Sequence, residues 1–241
     1  MAYDFLGLVN EVNKRVNEVE LTTSNFANVK GFYAHAKDAV NASIRDINQH
    51  EFNWPFNHVE QEDTLSADVS RYPFPHDTKL INFETFRIKK NSTLGNATTR
   101  LSVMAYEEYL DNYVEQEYDS TTRQGVPHFV IHGPALEYIL TPEPDKAYTV
   151  VYEYYRVPVD LALHDDVSSI PERFKHVIVD GAMHYAYLFR GNTQDALVAK
   201  EKFEEGIKNM RTTLINRTYY VRSGMIAQNT GSSISSTRIA T

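Results

Sequence analysis

His128-Phe129-Val130-Ile131-His132, then Gly133-Pro134, then Leu136-Glu137-Tyr138-Ile139-Leu140 is the passage on which the reading of this 241-residue chain turns. β-Branched and aromatic residues flank a Gly-Pro turn, which predicts a hairpin of two strands. Pro142-Glu143-Pro144-Asp145 makes the next turn, and residues 148–157 follow as a long third strand. Upstream, residues 79–89 and 100–104 are shorter strand candidates, separated by the turn-rich stretch 91–96. Residues 105–113 suit a short helix. The middle of the chain therefore reads as an antiparallel β block.

Both flanks of this block change period from two to about three and a half. Phe5, Val9, Val12, Val16 and Val19 make one apolar stripe. A second helix is expected after Thr22-Thr23-Ser24, whose side-chain oxygens suit an N-cap; its stripe runs Phe26, Val29, Tyr33, Ala36, Val40, Ile44, Ile47. On the far side, Ser169-Ile170-Pro171-Glu172 has the spacing of a capping box. The face Phe174, Val177, Ile178, Tyr185, Leu188 follows, and Gly191 supplies a stop. A fourth helix starts near Asn192 or Thr193 with Ala196, Ala199, Phe203, Ile207, Met210 and Leu214. Two amphipathic hairpins from opposite chain ends predict an α+β fold in which they pack as a four-helix bundle. The expected domains are a helical bundle of residues 1–56 and 165–217, an antiparallel β insertion of residues 57–164, and an extended C-terminal arm of residues 218–241.

Composition narrows the function. The hydrophobic fraction of 42% and charged fraction of 23% suit a globular chain. No apolar run approaches the roughly 18 residues of a membrane span, and the first residues lack the pattern of a secretory signal, so synthesis in the cytoplasm is expected. The absence of cysteine removes disulfides, thiolate metal sites and a cysteine nucleophile. A formal charge of −8 argues against a general nucleic-acid binder. Charge is unevenly placed, however: Lys208, Arg211, Arg217, Arg222 and Arg238 have no acidic neighbour from Gly206 onward. A basic, Ser/Thr-rich arm on an acidic body reads either as a segment that meets an acidic surface or as a solvated tail.

A search for chemistry finds little. There is no phosphate-binding loop, dinucleotide fingerprint, zinc-protease motif or nucleophile elbow. His128 and His132 lie four apart on a strand, roughly 13 Å, too far to share an ion. His176 and His184 are about two helical turns apart. No metal and no cofactor is expected. His164, Asp165 and Asp166 are the one local cluster a hydrolase reading would inspect, and a soluble surface loop accounts for them. Nine of the 16 tyrosines fall between Tyr106 and Tyr155. Tyr138, Tyr148, Tyr152, Tyr154 and Tyr155 are the candidates for a subunit or tail interface, where tyrosine is enriched; a carbohydrate platform is the competing use of the same rings.

This layout resembles the head-to-tail adaptor (tail tubular or connector) proteins of short-tailed phages. The resemblance is carried by the N-terminal helical pair closed by Phe52-Asn53-Trp54-Pro55-Phe56. It also rests on the hairpin, the Thr141-Pro142-Glu143-Pro144 turn and the tyrosine-rich strand. Its third support is Ile170-Pro171-Glu172-Arg173-Phe174, which opens a helix followed by a second long one. Such a resemblance implies a non-enzymatic virion protein placed below the portal vertex. It implies a ring of about twelve subunits that bridges the portal protein to the tail nozzle protein. It further implies a channel for genome ejection, touching double-stranded DNA only in transit, with no membrane partner. The C-terminal arm of such proteins reaches the portal, which makes Arg217, Arg222, Ile234, Arg238 and Ile239 the portal-binding candidates. The β insertion is longer than a minimal adaptor needs, which suggests nozzle or tail-fibre contacts. The alternative is a tail-fibre adaptor or carbohydrate-binding tail component that uses the tyrosine-rich sheet.

Overall fold

The computed structural model describes residues 3–89, 97–114 and 124–215. The chain divides into two compact units, one of Met1–His50 with Asp160–Thr241 and one of Glu51–Val159. The fold is α+β, with its helices concentrated in the first unit and two sheets in the second. Residues 51–159 hold 17 acidic and 9 basic residues and the rest of the chain 15 of each, so the formal charge of −8 lies wholly in the sheet unit.

In the helical unit, α1 spans Phe5–Arg15 and α2 spans Phe32–His50. The later pair is α4, Lys175–Phe189, and α5, Thr193–Leu214. The free N–H groups at the start of α1 are all bonded. Phe5 and Leu6 donate to the carbonyls of Asp166 and His164 at 2.8 and 3.0 Å, and Gly7 donates to the Asp4 carboxylate at 2.7 Å. Helix α1 ends sooner than its apolar stripe predicts. Asn17 takes φ 59, Asn17 N–H bonds Lys14 O and Glu18 N–H bonds Asn13 O, a Schellman motif that turns the chain away. Val19 is consequently 75% exposed.

Helix α2 begins about seven residues later than the Thr22-Thr23-Ser24 cluster suggests. Gly31, at φ 63, stands directly before it, and Phe26–Asn28 form only a 3₁₀ turn. Phe26 stays in the core regardless, edge-on to Phe5 at 5.1 Å. The connection is pinned by Asn10, whose buried amide bonds both N–H and C=O of Leu21 at 2.7 and 2.9 Å.

Helix α4 is the hub, packing against α5, α2 and α1. Its expected single apolar face is an understatement. Val177, Ile178, Val179, Ala182, Met183 and Ala186 are all buried, while Leu188 is exposed. Its approach is also delayed: Pro171 caps a 3₁₀ turn, Glu172–Phe174, and the α-helix proper starts at Lys175. Two glycines let the neighbours come close. A Cβ on Gly181 would lie 2.2 Å from Ser43 Oγ and 2.7 Å from Phe203, and one on Gly206 would lie 2.9 Å from Val177. Gly191 ends α4 at φ 74 with the same Schellman bonding, and the Asn192 side chain caps α5 by accepting from Asp195 N–H at 3.3 Å.

The described residues of the sheet unit form eight strands: β1 His58–Thr64, β2 Arg71–Pro73, β3 Thr78–Lys89, β4 Thr98–Arg100, β5 Ser102–Met104, β6 Phe129–Gly133, β7 Glu137–Thr141 and β8 Thr149–Arg156. They form two sheets, ordered β1-β8-β3-β4 and β2-β7-β6-β5. The hairpin expected around Gly133-Pro134 is β6–β7, but β8 leaves it for the other sheet. The block is also not wholly antiparallel. β5 pairs parallel with β6, because the chain passes from β4 through buried Leu101 straight into the second sheet. Strands β1 and β2 escape the sequence reading. Of the inward positions of β1 only Val59 is apolar, the others being Gln61 and Asp63, and β2 has three residues and a proline.

The sheets enclose an aromatic core of Phe86, Tyr138, Tyr152 and Tyr154 with Leu65, Ile81, Ile88, Leu101, Val130, Leu140 and Val150. Phe86 stacks on Tyr152 at 4.5 Å with planes 2° apart, and Tyr138 meets both rings edge-on. A short helix, α3 (Tyr106–Asn112), covers the other side of β6 and β7 through Tyr109, Met104, Ile131 and Ile139.

Candidate interaction surface

Of the four faces that two sheets possess, two meet in the core and one lies under α3. The fourth, the outer face of β1-β8-β3-β4, is left uncovered by the described residues of the sheet unit. Period-two alternation decides what it shows. Val150, Tyr152 and Tyr154 point inward, so Val151, Glu153 and Tyr155 point outward beside His58, Glu60 and Glu62 of β1. On the other side stand Arg87 and Lys89 of β3 and Arg100 of β4.

The register brings like charges face to face twice. Glu60 is directly opposite Glu153, and Arg87 is directly opposite Arg100. Each such pair costs up to about 1 kcal/mol. Partial relief comes from His58 against Glu153 at 3.1 Å, Arg100 against Glu84 at 3.4 Å, and an ion pair between Lys89 and Glu62. Glu60 and Arg87 have no ion-pair partner among the described residues. The face is concave, forming a cleft of about 720 Å³, because β3 bulges between Asn82 and Arg87. Thr85 plugs the bulge: its hydroxyl donates to Asn82 O at 2.7 Å and accepts from Glu153 N–H at 2.9 Å.

A second concavity, of about 450 Å³, is aromatic. Phe74 and Phe83 lie 5.6 and 5.2 Å from the ring of His132, beside Leu80 and the exposed Leu136.

The five tyrosines picked from the sequence separate into two groups. Tyr138, Tyr152 and Tyr154 are core residues with polar tips. Tyr138 and Tyr152 both donate to Asp63 Oδ2, at 3.0 and 2.8 Å, and Tyr154 donates to Asp77 at 3.0 Å. Burial, then the Asp63 carboxylate, pushes the Tyr138 and Tyr152 hydroxyls far above the ordinary phenol range. Burial and then Asp77 raise Tyr154 in the same direction. Tyr148 and Tyr155 are half-buried. Tyr148 donates to Asp145 at 2.5 Å, and that bond first, with slight burial, pushes it up to about 12. Tyr155 lies on the open face with its ring 4.9 Å from His58. Arg217, Arg222, Ile234, Arg238 and Ile239 lie outside the described residues.

The cluster His164-Asp165-Asp166 has a capping role. Its carbonyls receive α1, and the Asp166 carboxylate accepts N–H bonds from Ala162 and Leu163, both at 2.7 Å, which hold it below the usual carboxylate range. Among the described residues no group of His, Cys, Asp and Glu is arranged to hold a metal ion, and no helix is long and apolar enough to cross a membrane.

What the sequence missed is the paired charge of the open face. Its signal was present as charged residues spaced by two, at Glu60 and Glu62 and at Arg87 and Lys89, but only the register shows which of them are opposed.

The family model of the SU10 adaptor protein matches residues 3–226, and the chain belongs to that family, one of phage head-to-tail adaptors. Membership makes it a structural component of the virion. Comparison with curated proteins gave no match.

Proposed function

We propose that the chain is the subunit of a ring that joins the capsid portal to the tail nozzle and lines the channel for genome passage. The observation that carries this reading is the adaptor-family match over residues 3–226, which takes in both helical ends and the sheet unit. The ring has about twelve members, each using two different surfaces toward its neighbours. The four long helices act as one bundle, with α4 at its centre.

The portal contact belongs to the basic arm, through Arg217, Arg222, Ile234, Arg238 and Ile239. The nozzle or tail-fibre contact belongs to the sheet unit, where Tyr148 and Tyr155 keep exposed area. The acidic excess of residues 51–159 suits a wall past which DNA must slide, since like charge keeps phosphates from adhering. The carbohydrate platform loses Tyr138, Tyr152 and Tyr154, which spend their rings on the core.

Negative-stain microscopy of the full chain mixed with the portal ring of the same virus tests this. A stacked double ring is expected, weakened when the chain is cut after Arg222. A full chain that ignores the portal overturns the reading. A truncated chain that stacks equally well excludes Ile234, Arg238 and Ile239 and leaves Arg217 and Arg222 as the portal contact.

A further inference from the structure

The outermost strand of a sheet carries a row of backbone N–H and C=O groups that a further strand can take up. The two sheets have four such edges, β1 and β4 in one and β2 and β5 in the other. Three are blunted. Among the described residues β4 and β5 have three residues each, and β2 has three with Pro73 among them. β1 is different. It runs seven residues, His58–Thr64, pairs with β8 without a break in register, and contains no lysine, proline or glycine.

The ladder decides which of its groups are free. Leu65 N–H bonds Tyr148 O at 2.7 Å, and bonded pairs in an antiparallel ladder recur at every second residue. Val59, Gln61 and Asp63 therefore bond β8, while His58, Glu60, Glu62 and Thr64 turn their backbone groups outward. The phase agrees with Glu153, opposite Glu60, whose N–H points away from β1 to Thr85 Oγ1 at 2.9 Å. His58 N–H turns back to Pro55 O, and the Gln61 amide reaches Glu62 O at 3.5 Å. The N–H groups of Glu60, Glu62 and Thr64 have no partner among the described residues.

We infer that this edge accepts an extended basic strand from the tail-side partner, with Lys or Arg at every second position. Backbone hydrogen bonds supply the grip in such an addition, and alternate side chains supply the choice of partner. On the open face those alternate side chains stand beside Glu60 and Glu62, with facing Cβ atoms about 5 Å apart. The unit they meet carries the whole formal charge of −8. A second copy of β1 is the wrong occupant, because it sets these carboxylates against their own kind. This inference rests on the nozzle reading and names the strand of the sheet unit that makes the contact.

Hydrogen exchange resolved to single amides tests it, on the full chain free and bound to the nozzle protein of the same virus. Glu60, Glu62 and Thr64 should exchange fast in the free chain and on the order of tenfold to a hundredfold more slowly in the complex, with Gln61 and Asp63 slow in both. Glu60→Pro deletes one outward N–H and keeps the ladder to β8, a place where proline is tolerated; nozzle binding should weaken about tenfold. Glu60→Lys, which sets an amine opposite Glu153 and so spares the fold, should weaken binding about as much and flatten its dependence on salt. Edge amides already slow in the free chain overturn the inference, since this chain then covers its own edge. Edge amides that stay fast in the complex, or either folded variant binding as the parent does, also overturn it and leave the nozzle contact elsewhere in the sheet unit. A nozzle protein that does not bind the chain removes the nozzle reading and this edge with it.

Discussion

Gly181 in the helical unit and Asp63 in the sheet unit mark two cores held together by different means. Around Gly181 the helices approach until a single methyl group finds no room beside Ser43 and Phe203. Around Asp63 large rings are stacked, and their hydroxyls need a carboxylate to bond. The first core depends on shape and the second on shape plus a polar account that must close. Damage to the first should come from added volume, and damage to the second from removing an acceptor.

Gly181→Val puts the largest strain on this contrast. It is expected to destabilise the helical unit by about 3 kcal/mol, since neither Ser43 nor Phe203 can withdraw far. Urea unfolding followed by far-ultraviolet circular dichroism reads the loss, and an unchanged midpoint would show that the helices separate easily. Next comes Asp63→Ala, which strands two buried hydroxyls at about 2–3 kcal/mol. Asp63→Asn retains an acceptor oxygen and should cost less. Equal losses in both variants would mean that charge, and not acceptance, matters.

Alkali sharpens the comparison further. Tyr138 and Tyr152 have folded pKa values raised above their unfolded values near 10, so their contribution is fully present below pH 10 and is lost as pH rises beyond it. Between pH 10 and 11 the sheet unit should lose roughly 2 kcal/mol, read as tyrosine absorbance coupled to unfolding. Tyr3, raised by burial, and Tyr185, raised first by its bond to Asp46, also reach about 12 in the helical unit. Tyr72, Tyr148, Tyr154 and Tyr155 are raised as well in the sheet unit, so that unit should lose the more over this range, and equal loss in the two units would refute it. The smallest effect runs in the other direction. Asn13 is fully buried, and neither polar atom of its side chain has a partner among the described residues. Asn13→Leu should stabilise the helical unit by about 1 kcal/mol in a thermal melt; a loss would reveal that the amide is bonded after all.

The sequence made the helical unit easier to read than the sheet unit, for physical reasons. Helix periodicity is local, so the start of α5 at Asn192 and the stop at Gly191 could be seen directly. The errors there came from single backbone conformations: Asn17 and Gly31 take positive φ, and each moves a helix end by several residues. Strand partnership is not local. β1 has almost no apolar inward face and is defined by its pairing with β8, and the parallel β5–β6 pair follows from a sheet-to-sheet crossing at Leu101 that no pattern announces. The tyrosines were visible, but a two-residue period alone does not say which side is core. Tyr154 and Tyr155 are neighbours in sequence and lie on opposite faces. The like-charge pairs were out of reach until register was known.

The carbonyls of His164 and Asp166, which receive the first N–H groups of α1, also set an order of birth. α1 leaves the ribosome well before its cap, which is made about 160 residues afterwards, roughly 8–32 seconds at ordinary synthesis rates. Until then the helix has only Asp4 to finish its start. The sheet unit, whose residues are all made in the interval, can fold as an independent intermediate while its helical host waits. The nascent chain thus builds the inserted unit before the one that encloses it in sequence.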